Sequence, residues 1–160
     1  MRMPALICLA LLFTFAASAF RPVDKQAFYK VLEAGDESRI DEMVAELEKE
    51  SSSATVKAYM GALIMKKAGF VKGASAKVKT FKKGAQLLED EIKNNPGNTE
   101  YRFLRLTIQE HAPGILKYNK QLEEDKAAVV KGYSGLEPAL KTIIRDYARD
   151  SRVLKKEDLK

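Results

Sequence analysis

The chain holds a single cysteine, no tryptophan and one histidine in 160 residues. Cys8 lies inside the N-terminal apolar run, so no disulfide framework is available to the rest of the chain and the fold must rest on packing. A lone histidine with scattered carboxylates gives no metal-ligand spacing: "QEHAP" around His111 is not a zinc-binding helix. No cofactor fingerprint is present either. Gly69, Gly73 and Gly84 follow no strand and are too far apart to form a phosphate-binding loop. No catalytic residues are assigned, because no Ser-His-acid or Cys-His arrangement is legible; an exported enzyme with an unrecognised site in a helical cleft stays as the alternative. After residue 19 no apolar run reaches the ~20 residues a spanning helix needs.

What is present at the N-terminus is the pattern of a cleaved secretory signal: Arg2, the apolar run Pro4–Ala16, then the small-x-small site Ala17-Ser18-Ala19. The expected product begins near Phe20 and is periplasmic or secreted. Loss of Arg2 lowers the formal net charge from +6 to +5. About 140 residues remain, enough for one domain that buries roughly 68–70% of its unfolded surface.

The hydrophobic pattern beyond residue 20 has helical periodicity throughout. Phe28, Val31 and Leu32 share a face, as do Ile40, Met43, Val44 and Leu47. The same spacing continues in Val56, Met60, Leu63 and Ile64, in Val78, Phe81, Ala85, Leu88 and Ile92, and in Leu136, Leu140, Ile143 and Tyr147. Glycine, proline and capping residues divide these stripes into seven predicted helices, at about 24–34, 37–50, 54–68, 75–93, 99–111, 119–131 and 135–149. Asp24, Asp36 or Ser38, and the serines before residue 54 are candidate N-caps; Ser134 with Glu137 reads as a capping box for the last helix. The predicted fold is all-α, a right-handed stack of antiparallel helical hairpins over residues 20–150, with the charged segment 151–160 fraying.

The turn "NNPGNTE" between two helices looks like the junction of tetratricopeptide-type units, with Leu88 at a large and Gly84 at a small position. Glu91 departs from that pattern, and no clean 34-residue period appears. Asn95-Pro96, Glu100, Arg102, Leu104-Arg105, Gln109, Pro113 and the run Glu123-Glu124-Asp125-Lys126 together resemble a family of small secreted proteins from Bacteroidetes. The resemblance covers about residues 95–126. It implies export and a helical fold, and it brings no reaction with it.

Two charge features stand out. Arg102, Arg105 and Gln109 fall in one narrow sector of the helix 99–111 at ~100° per residue. One reading pairs the arginines with Glu123, Glu124 or Asp125 through bidentate guanidinium–carboxylate bonds, with Arg105 bound to Glu123 or Glu124. The other leaves the row open for an anionic partner. The second feature is an acid-free stretch, residues 51–88, preceded by an acidic block from Glu33 to Glu50. Its lysines, Lys77, Lys79, Lys82 and Lys83 foremost, either meet that acidic block or form a basic face for an acidic protein, glycan or lipid surface. Nucleic acid is not the partner expected, because the secretory signal removes the chain from it and the patch lacks arginine and aromatic interleaving. Phe70, in "AGFVKG", either folds onto the core or stands out as an apolar tip. The function expected is a non-catalytic interaction or scaffold module acting through a groove or a basic face.

Overall fold

A computed structural model describes residues 23–50 and 52–160; the predicted signal segment lies outside the described residues. Seven α-helices form, and no strand occurs among the described residues. They are α1 (Lys25–Ala34), α2 (Glu37–Leu47), α3 (Ala54–Lys67), α4 (Ala74–Asn94), α5 (Thr99–His111), α6 (Leu122–Gly132) and α7 (Pro138–Tyr147).

Side-chain caps start four of them. Asp24, Asp36, Ser53 and Asn98 each accept from the amide three residues on, satisfying a donor that the first helical turn leaves free. Gly35 closes α1 in the left-handed conformation that glycine adopts without steric cost. The start of α7 differs from expectation. Ser134 lies in a short 3-10 turn and α7 begins at Pro138, whose missing N–H costs nothing at a first helical position. Glu137 makes no cap bond; its carboxylate meets Lys25 at 2.7 Å instead.

Consecutive helices pack as hairpins, α3 on α4 most extensively, then α5 on α6, α2 on α3 and α1 on α2. The α3–α4 approach is closest where Gly61 faces Gly84: a Cβ on Gly61 would lie 2.7 Å from the Gly84 carbonyl, and one on Gly84 2.5 Å from the Gly61 carbonyl. Glycine is required there because backbone meets backbone. Glu91 of α4 is buried, with Lys57 of α3 at 3.8 Å.

The odd-numbered helices form an inner layer and run in the same direction. Thr55 and Tyr59 of α3 hydrogen-bond Tyr101 and Glu100 of α5, and Lys25 of α1 bridges Glu100 to Glu137 beside α7, so four N-terminal ends meet. The core cluster draws on all seven helices, with Phe28 stacked on Tyr59 at 3.7 Å between ring centroids. Helix α7 returns to pack against α1.

Segment 151–160 does not fray. Leu154 is 0% exposed, Asp158 pairs with Lys126 at 3.1 Å, and Glu110 accepts from the Tyr147 and Ser151 hydroxyls and the Arg152 amide. Its high charge hid one apolar anchor.

Candidate functional site

The arginine row is the first candidate, and burial decides it. Arg105 is 4% exposed and Gln109 2%. Arg105 donates Nε to Asp125 Oδ2 at 2.6 Å and Nη2 to Oδ1 at 2.7 Å, and its Nη1 reaches Glu89 Oε2 at 2.6 Å. Burial alone would lower the guanidinium pKa; bonding and charge from Asp125, then Glu89, outweigh it and hold the value above the usual range. Arg102 joins Glu124 at 2.7 Å and Asp125 at 3.1 Å.

The expected partner of Arg105, Glu123 or Glu124, is therefore corrected to Asp125. Neighbouring residues on a helix point ~100° apart, and only Asp125 shares the α5-facing side of α6 with buried Val129. Glu123 faces solvent and makes no ion pair among the described residues. Gln109 donates to Gln121 at 3.2 Å, while its own Oε1 is buried without a partner. The row offers no open face: it clamps α4, α5 and α6. Glu89 is not legible as a partner because it opens the acidic run Glu89-Asp90-Glu91 on a different helix, and no local spacing relates that run to Arg105.

The lysine face is divided. Lys79, Lys82 and Lys83 are exposed on the outer side of α4 and pair with no carboxylate among the described residues. Lys77 lies elsewhere on the helix and donates to the Gly69 carbonyl at 2.7 Å. The acidic block does not neutralise α4. Its one link to the lysine stretch among the described residues is Asp41–Lys67 at 2.6 Å, from α2 to α3.

A site the charge pattern did not reveal lies between α1, α5 and α7, with Lys66 of α3 at its wall: a cleft of about 540 Å³. Tyr29, Phe103 and Tyr147 line it, with 5.6 Å between the Tyr29 and Phe103 ring centroids and 5.3 Å from Phe103 to an edge-on Tyr147. The Tyr29 hydroxyl is buried with no hydrogen-bond partner, and burial, then the Glu100 charge, raises its pKa. Lys66 is half-buried and free of ion pairs among the described residues; burial lowers its pKa. Exposed Glu33, Asp146 and Asp150 stand at the rim. His111 is also there, exposed, its Nδ1 3.0 Å from the Thr107 carbonyl, which can only accept, so Nδ1 carries the proton. Ser151 spends its hydroxyl on Glu110 and on the amides of Val153 and Leu154.

The arrangement supplies aromatic contact and a rim of mixed charge. Among the described residues no group of three or more His, Cys, Asp or Glu side chains is gathered to hold a metal ion, and no helix is long and apolar enough to cross a membrane. No family model, curated protein or solved structure matches the chain.

Proposed function

We propose that the protein is an exported, non-catalytic interaction module that grips its partner in the cleft between α1, α5 and α7. The reading is carried by the aromatic wall of the cleft: Tyr29, Phe103 and Tyr147, from three different helices, line one opening and offer ring surface on which an anchoring side chain can pack. The size of the cleft lies within the usual range for pockets that take one ligand or one anchoring side chain. Export is supported by the basic start, apolar run and small-x-small site of residues 1–19, and the secreted family resembled by residues 95–126 agrees with it.

A photo-crosslinking amino acid placed in turn at Gln26, Thr142 and Lys79 tests the reading in cells. The first two line the cleft; the third is on the outer face of α4. A discrete adduct from Gln26 and Thr142 that is absent from Lys79 is expected, on protein recovered with a terminus near Phe20. Adducts that do not depend on position, or a chain that keeps Met1 and stays inside the cell, would refute the two halves of the proposal separately.

A further inference from the structure

Among the described residues, the two large hydrophobic side chains that stand exposed are Phe70, at 41%, and Ile115, at 87%. They lie at one end of the molecule. Because the N-terminal ends of α3 and α5 meet through Thr55–Tyr101 and Tyr59–Glu100, the C-terminal ends of these parallel helices also lie together. Phe70 occupies the turn that leaves α3, and Ile115 a 3-10 turn in the loop that leaves α5. The two connections are joined: Lys77 holds the Gly69 carbonyl of the first, and Phe81, one turn further along α4, packs edge-on at 5.2 Å against Tyr118 of the second.

The first connection carries Lys72, with Lys77 close by on α4, the second carries Lys117 and Lys120, and neither carries an acid. Lys72 and Lys77 flank Phe70, Lys117 and Lys120 follow Ile115, and all four are exposed without an ion pair among the described residues. The carboxylates nearest these connections are Glu89, which accepts from Tyr118 at 2.8 Å and is held by Arg105, and Glu123, exposed in the first turn of α6. Lys79, Lys82 and Lys83 continue the positive surface along α4.

We propose that this edge docks on an anionic lipid bilayer, seating Phe70 and Ile115 at the headgroup–acyl boundary with Lys72, Lys77, Lys117 and Lys120 on the lipid phosphates. Apolar tips ringed by cations fit a bilayer interface, where apolar burial and attraction to anionic headgroups add. An acidic protein would use the lysines and leave Ile115 in water. The inference is independent of the cleft.

The absence of native tryptophan gives a background-free probe. In the full chain, Phe70→Trp and Ile115→Trp are expected to shift to the blue on vesicles of mixed phosphatidylglycerol and phosphatidylcholine, and to be quenched by brominated lipid. Neither change is expected on phosphatidylcholine alone, nor from Glu42→Trp on the acidic α2. Changing Lys72, Lys77, Lys117 and Lys120 to Gln in the Phe70→Trp background should weaken the apparent affinity about a thousandfold at low salt, at roughly 1 kcal/mol per lysine; far-UV circular dichroism checks that the helices persist. The N-terminal apolar run is common to every variant, so the differences report the edge. A Phe70→Trp variant that keeps its aqueous emission on anionic vesicles, or binding indifferent to the four Gln changes, would overturn the proposal. So would displacement from the vesicles by polyglutamate together with no quenching by brominated lipid, which would assign the edge to an acidic protein.

Discussion

At the scale of single residues, Arg105 answers why a strongly apolar helix keeps cationic side chains. Its guanidinium is boxed by Asp125, which is 0% exposed, and by Glu89. Arg105→Ala strands a buried carboxylate and is expected to cost ~3–5 kcal/mol by urea unfolding. In double-mutant cycles the pair with Asp125→Ala should be strongly non-additive and the pair with Glu123→Ala additive within about 0.5 kcal/mol; the reverse would place the carboxylate partner at Glu123. Glu110 makes a second testable contact. Burial pushes its carboxyl pKa up, but bonds from Tyr147, Ser151 and the Arg152 amide outweigh this and hold it below the ordinary value of 4.5. A depressed folded pKa means stabilisation that is present above the unfolded value and lost as pH falls through the folded one. The melting temperature of Glu110→Gln should therefore lie below wild type at pH 7, and the gap should narrow as the pH falls below the ordinary value of 4.5. Such partners are only half legible in sequence. The narrow sector of Arg102, Arg105 and Gln109 follows from helical geometry alone, whereas choosing Asp125 over its two acidic neighbours depends on the rotation of α6, which no local spacing reports.

At the scale of elements the sequence is most informative. Helical spacing and punctuation by Gly35, Pro96 and Pro113 place seven helices within a few residues of their observed limits, because amphipathic stripes and stop signals are local properties. What stays hidden is which elements touch. Gly61 and Gly84 look like ordinary weak points in helices, yet they form the seam where α3 and α4 come closest. Gly61→Ala would press a methyl group onto the Gly84 carbonyl and the Leu88 amide, backbone atoms that cannot swing away. We expect a loss of ~1–3 kcal/mol or more. Gly97→Ala, where an added Cβ meets nothing within 4 Å, should be nearly neutral in the same assay. Equal effects at the two positions would mean that the α3–α4 contact is looser than described. The cleft belongs to this hidden class too: its aromatic residues come from three helices distant in sequence, and each reads alone as an ordinary core residue.

At the scale of the whole molecule, the charged terminal segment is a structural part. Its fraying was expected from composition, which weighs ten residues equally, while a single buried Leu154 outweighs the lysines around it. Leu154→Ala should cost ~2–5 kcal/mol and expose segment 151–160 to limited proteolysis; resistance equal to wild type would show that Glu110 suffices to hold it. The return of α7 to α1 has a consequence in time. Most helix contacts join neighbours in the chain and can form quickly as each hairpin is completed. The first helix has its last partner more than a hundred residues away, so it waits until the chain is nearly finished. A chain growing or threading from its N-terminus would carry an unsealed seam along α1 for most of its synthesis.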